Sequence, residues 1–282
     1  MPSSSVHTHT LAYSPCPNDT YIFAALTNRL LEELPDVRVH FADIEELNAA
    51  AARGEYDLTK VSYGAIPFLM DRYRILRSGG ALGRGCGPLV VTRPGVAASL
   101  ADLRDLRVAI PGERTTAFML LQLALGGRPR ATQMRFDAII PAVAQGAVDA
   151  GLIIHESRFT YHEAGLVSIA DLGDWWESIT GMPIPLGAIL ARTDLDQERA
   201  RAIDTAIRRS LRFARSNPGA IMPFVREHAF EMSDDVIHKH IGLYVNEYSD
   251  DIGDDGIAAV NELFGRARAA GILDADAAPN FS

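Results

Sequence analysis

Between Thr10 and Asp194 short apolar runs alternate with stretches whose apolar residues recur at helical spacing, the pattern of βαβ units around a parallel sheet. Residues 11–13 read as the first strand. Pro15 and Pro17 then stiffen a turn over residues 14–20. Asn18, Asp19 and Thr20 are all good capping types for a helix expected to begin near Tyr21 and run to Leu31. Strands follow at residues 37–41 and 57–61. Between them Asp43 and Glu46 stand as a capping box for a helix closed by Gly54, and Ser62 is placed to cap the helix after the third strand. Residues 78–87 are rich in glycine and match no phosphate-loop spacing. They read either as a flexible connection or as backbone that a ligand approaches closely. Residues 88–92 form a further strand, and Arg93, Pro94 and Gly95 break the pattern.

A second unit of the same kind begins after that break. Residues 99–103 read as a short helix, 107–110 as a strand, and 117–125 as a helix ended by Gly126 and Gly127. A strand is expected at 133–136, a helix capped by Asp137 as far as Gln145, and a buried strand at 150–154 that delivers His155. Strands at 167–170 and 188–191 flank a short helix around Trp175 and Trp176, a pair that reads as packing more than as a stacking platform. Beyond Asp194 only helices are expected, at 197–215, 218–230, 234–246 and 255–270. The chain thus divides into an α/β unit of residues 1–91 and 189–282 and a second of 92–188. Two crossings, near 91–94 and 185–192, would serve as hinges, with a ligand cleft between the lobes.

A length of 282 residues agrees with two domains, and 48% hydrophobic with 22% charged residues is ordinary for a globular protein. The formal charge of −9 argues against nucleic acid or an anionic membrane as partner, though not against a small anion held by local groups. Cys16 and Cys86 are too few for a disulfide framework. Residues 1–10 have neither the basic start nor the apolar stretch of a signal peptide, and no run reaches the ~18 apolar residues of a membrane span. The expected compartment is the cytoplasm.

His155 is the residue of most chemical interest. At a strand's carboxyl end it would face the ligand crevice of an open α/β sheet, where an imidazole suits proton transfer; taken alone, it reads first as a core histidine satisfied by a carbonyl. Ser14 to Thr20, Lys60 to Ser62, and Thr115 with Thr116 sit at corresponding strand-to-helix turns of the two lobes. There, free backbone N–H groups and a helix dipole favour an anion, most simply a carboxylate. Cys16 at a helix start has a minor claim as nucleophile against the commoner role of a small buried thiol. Ser157 lacks a nucleophile elbow. His238 and His240, two apart on a helix, do not share a face, so no metal site is expected there. A cofactor-free proton-transfer enzyme fits these signals, against a solute-binding protein of the same fold as the rival class.

The segments SPCPNDT at 14–20, LTKVSYGA at 58–65, RSGGALGRGCGPLVV at 77–91, GERTTAF at 112–118, LIIHESRFTY at 152–161 and PLGAILARTDL at 185–195 resemble the 1,4-dihydroxy-6-naphthoate synthase family of the futalosine route to menaquinone. The resemblance implies an α/β, two-lobed, type 2 periplasmic-binding-protein-like fold with a central cleft, working in the cytoplasm without metal or nucleotide. It implies action on cyclic dehypoxanthinylfutalosine, a small aromatic carboxylate, with release of the dihydroxynaphthoate and a three-carbon sugar fragment read as dihydroxyacetone. By motif, His155 takes the role of catalytic base, and Lys60, Val61, Ser62, Thr115 and Thr116 those of substrate contacts. Ser14, Asn18, Asp19 and Arg84 are further candidates, with Lys60 or Arg84 to offset the carboxylate. Chorismate dehydratase, which shares the fold, is the neighbouring alternative.

Overall fold

The computed structural model describes residues 8–229, 233–274 and 279–281. Residues 1–7 of the polar start, and residue 230, the expected end of one helix, lie outside these. The first sheet begins with β1 (His9–Tyr13), β2 (Val37–Phe41) and β3 (Leu58–Ser62), connected by α1 (Pro17–Thr27) and α2 (Ile44–Arg53), and adds the short strands β4 (Tyr73–Ile75) and β5 (Ala81–Gly83). The second sheet contains β6 (Leu89–Thr92), β7 (Arg107–Ile110), β8 (Arg130–Gln133), β9 (Ala150–Ile153) and β10 (Val167–Asp171). Its helices are α3 (Thr116–Leu125), α4 (Phe136–Ala144), the single turn α5 (Ser157–Thr160) and α6 (Leu172–Thr180). The chain returns to the first sheet in β11 (Ile184–Arg192) and ends in α7 (Gln197–Ser216), α8 (Pro218–His228), α9 (Asp234–Tyr244), the single turn α10 (Glu247–Asp250) and α11 (Gly253–Ala269).

The strand orders are β2-β1-β3-β11-β4, with β5 also on β11, and β10-β6-β9-β7-β8. β1 lies parallel between β2 and β3, and β7 parallel between β8 and β9, so each lobe has a parallel centre whose carboxyl ends share one rim. β11 is antiparallel to β3, and β6 to β9. The chain therefore crosses between sheets twice, making two lobes.

The first crossing comes earlier than the break at residues 93–95 suggests. Leu89 to Thr92 pair with Ile153 to Ala150 of β9, which places this strand in the second sheet. The crossing runs instead through the Gly-rich stretch. A Cβ at Gly87 would lie 2.1 Å from the Gly173 backbone nitrogen, so glycine is required where this segment passes the start of α6. The close approach at Gly87 is to the protein itself, while Ala81 and Cys86 of the same stretch face the cavity between the lobes.

Local chemistry explains most of the element boundaries. Asp43 caps α2 by accepting the Glu45 N–H (2.9 Å), and Gly54 ends it at φ 70°. Thr115 caps α3 by accepting the Phe118 N–H, and Gly126 ends it at φ 65°. The start of α1 was misplaced by sequence: Pro17 occupies its first turn, where a fixed φ and a missing N–H cost nothing, so Asn18, Asp19 and Thr20 fall inside the helix and are buried. Ser62 is likewise no cap; it is the last residue of β3. β8 lies three residues ahead of its expected place, on an exposed edge where period-2 patterning is weak. α1 is buried on nearly all sides, between the first sheet and the helices α7 and α8. Trp176 is fully buried and donates to the Pro183 carbonyl (3.0 Å), the packing role expected of it.

Candidate active site

The carboxyl ends of β1, β3, β7 and β9 meet at a cavity between the lobes with about 610 Å³ of empty space, mouth included, which suits a small organic molecule. Its walls are largely apolar, with Ile44, Ala81, Cys86, Pro88, Ile154 and Leu186 among them, and its polar groups come from Asn18, Ser62, Thr115, Thr116, His155, His240 and Tyr244. No Lys or Arg side chain lines it among the described residues.

His155 follows β9 by two residues with its backbone in the left-handed region, φ 57°. That conformation is uncommon outside glycine, although His tolerates it better than most, and it bends the chain at the strand end. The imidazole packs edge-on against Phe136 (ring centroids 5.3 Å) and parallel to His240 (6.4 Å, 10° between planes). Neither ring nitrogen of His155 has a hydrogen-bond partner among the described residues. The reading of His155 as a core histidine satisfied by a carbonyl is therefore not met.

Across the cavity, α3 presents its amino end. The Thr115 hydroxyl donates to the Gly112 carbonyl (2.8 Å) and accepts the Phe118 N–H (3.2 Å). That of Thr116 donates to the Leu186 carbonyl (2.7 Å) and accepts the Gly64 N–H (3.1 Å). Both hydroxyls are thus engaged in shaping the loop and joining the lobes. The backbone N–H groups of Thr116 and Ala117 have no partner among the described residues. They are the groups that an anion would meet.

The structure corrects the assignment of positive charge. Lys60 is 4% exposed and its ammonium is paired with Asp19 (2.5 Å), with the Gly79 carbonyl at 3.4 Å. Arg84 is exposed and reaches Glu177 (3.4 Å) and the Gly181 carbonyl (3.0 Å), outside the cavity lining. Neither is a free cation in the cavity. Val61 points away from Lys60 and Ser62 into the core, while the Ser62 hydroxyl lines the cavity and accepts from Asn48 Nδ2 (3.2 Å). Ser14 donates to Asp19 (2.7 Å) and Asn18 Nδ2 donates to the same carboxylate (2.8 Å). Cys16 is buried, and burial pushes its thiol well above the usual range, which disfavours the thiolate that a nucleophile needs.

Sequence reasoning missed His240. It is 1% exposed, lines the cavity from α9, and donates from Nε2 to Asn18 Oδ1 (3.0 Å). A buried chain thus runs from Lys60 through Asp19 and Asn18 to His240, fixing its tautomer and leaving Nδ1 without a partner. Burial, reinforced by His155 and Lys60, pushes His240 well below the ordinary imidazole value. Its only sequence signal was an apolar helix face broken by one histidine.

A stability effect follows from this burial. Below about pH 6.5 the unfolded chain protonates this histidine while the folded one does not, so stability is lost as pH falls from there toward the lowered native pKa. One such group contributes a slope of up to about 1.4 kcal/mol per pH unit. Urea unfolding between pH 7 and 5 should show a shallower loss for His240→Gln than for wild type; parallel curves would refute the effect.

Residues 9–269 match a family model described as menaquinone biosynthesis. The chain is 51% identical over 272 residues to the 1,4-dihydroxy-6-naphthoate synthase of Thermus thermophilus, covering 96% of this chain and 98% of that one. It is 49% identical over 276 residues to the enzyme of the same name from Streptomyces coelicolor, covering 96% of each. Among solved structures, protein AF1704 from Archaeoglobus fulgidus superposes with a TM-score of 0.88 at 34% identity over 95% of this chain and all of that one. The periplasmic aliphatic sulphonate binding protein SsuA of Escherichia coli does so at 0.65 and 13% identity over 94% and 88%, which shows a shared periplasmic-binding-protein-like fold. The expected fold and resemblance are thus borne out: the chain belongs to the 1,4-dihydroxy-6-naphthoate synthase family of menaquinone-biosynthesis enzymes.

Proposed function

We propose that this enzyme is a carbon–carbon lyase that converts cyclic dehypoxanthinylfutalosine to 1,4-dihydroxy-6-naphthoate and a three-carbon sugar fragment, dihydroxyacetone. The observation that carries the reading is the unpartnered imidazole of His155 in a largely apolar interlobe cavity, with the two free N–H groups of α3 in the same wall set. The N–H groups of Thr116 and Ala117 take the substrate carboxylate, and the apolar walls take its ring system. Helix-end N–H groups suit this task without a buried cation, because they are fixed in place and need no desolvation of a mobile charge.

Neutral His155 removes a proton from the substrate, and the bond to the sugar fragment breaks in a retro-aldol-like step whose electron pair passes to the ring. Loss of the remaining ring hydrogens as protons completes the aromatic product, and protons are returned to the products, so the conversion is redox-neutral. Aromatisation drives it. Closure of the lobes excludes water from the charged intermediate.

An anaerobic incubation of the purified protein with cyclic dehypoxanthinylfutalosine, read by mass spectrometry, should yield 1,4-dihydroxy-6-naphthoate and an equal amount of the three-carbon fragment. Unchanged substrate alongside demonstrable tight binding would show a binding protein instead. Turnover of chorismate in a parallel sample would point to the dehydratase.

A further inference from the structure

A second cavity, with about 520 Å³ of empty space, opens on the other side of His155. His155 and Ile44 line both spaces, so the imidazole stands in the partition between them. Their chemistry differs. No Asp, Glu, Lys or Arg lines the main cavity among the described residues, whereas Asp43, Arg135, Asp137 and Glu156 line the second one.

These groups keep unused hydrogen-bonding capacity. Glu156 Oε2 is shielded from water and has no partner among the described residues. Burial raises this carboxyl above its ordinary range, which favours the protonated form able to donate as well as accept. Asp43 uses Oδ1 to cap α2, and its Oδ2 has no partner among the described residues. Arg135 holds Asp137 through Nε and Nη2, leaving Nη1 free among the described residues.

We propose that this side chamber is the subsite for the hydroxylated three-carbon fragment, with the aromatic acid held in the main cavity and the bond to be broken lying beside His155. This rests on the reading of the enzyme as a lyase of a ring–sugar substrate. Carboxyl groups and a guanidinium suit adjacent hydroxyl and carbonyl oxygens, while the carboxylate and ring of the aromatic half already have partners in the α3 N–H groups and apolar walls of the main cavity. The partition also gives His155 a direction: it meets the substrate where the polar and apolar halves join.

The two halves can be tested separately because the product 1,4-dihydroxy-6-naphthoate lacks the fragment. Asp43→Asn keeps a good helix cap and Glu156→Gln keeps the shape of the side chain. Each should lower kcat/KM for cyclic dehypoxanthinylfutalosine by about 10-fold or more, the usual effect of one lost polar contact to substrate. The dissociation constant of 1,4-dihydroxy-6-naphthoate, measured by titration calorimetry, should stay within about twofold of wild type, which also shows that each variant is folded. Variants that keep wild-type kcat/KM, or that lose product affinity in parallel with turnover, would overturn the subsite. Failure of the wild type to form dihydroxynaphthoate would overturn the lyase reading itself, a separate result. Should one variant not fold, the other decides alone.

Discussion

His155→Asn is expected to lower kcat for cyclic dehypoxanthinylfutalosine by about 10²–10⁴-fold, the range for loss of a general base. Asparagine is the informative replacement. Position 155 has φ 57°, which asparagine adopts more readily than other non-glycine residues, so the bend after β9 should survive. A β-branched residue there would strain the backbone and confound chemistry with structure. Because the ring has no hydrogen bond to the rest of the described protein, its removal also leaves no polar group stranded. KM should therefore change little while kcat falls, the signature of an interaction made mainly in the transition state. Steady-state kinetics with a matched unfolding curve would check this, and turnover within about threefold of wild type would sink the assignment of the base.

Lys60→Met is expected to act first on stability. Lys60 and Asp19 are 4% and 3% exposed by side chain, so removing the ammonium leaves a buried carboxylate to which, among the described residues, Ser14 and Asn18 still donate. Breaking one side of a buried pair costs about 3–5 kcal/mol, because the remaining charge keeps its desolvation penalty and loses its partner. For a chain of this size that lowers Tm by on the order of 10 °C. The double variant Lys60→Met with Asp19→Asn should recover a large part of the loss, since the amide carries no charge to strand. The urea midpoint should move at constant m-value. A single variant as stable as wild type would mean that the pair is not the anchor the geometry indicates. Activity should fall as well, because Asp19 holds Asn18, and Asn18 holds His240 in the cavity wall.

Much of the architecture was legible in the alternation of apolar runs and helical spacing. The strands Val37–Phe41 and Arg107–Ile110 and the helices after Asp194 lie where local pattern put them, because burial on one face imposes a period that a window of ten residues already shows. The cap at Asp43 was legible, because its side chain bonds the backbone two residues on, although Glu46 makes no return bond among the described residues and the expected box is not completed. Cap reading failed where proline changed the helix start, as at Pro17, since a fixed φ outweighs a capping preference. The membership of Leu89–Thr92 was not legible, because an apolar strand fits either sheet and only pairing with β9 decides.

At the site, the sequence by itself determined that His155 ends a buried strand and that Thr115 and Thr116 open a helix, for these depend on neighbours a few residues away. Tertiary structure alone decided the rest. It paired Lys60 with Asp19, 41 positions apart, and so withdrew the cation from the cavity; it set His240 against Asn18 across 222 positions and stacked it on His155. Contacts at such separations leave no local period in a chain. They are set by how α1 packs against the first sheet and how α9 packs against α1, which is a property of the folded core and not of any segment within it.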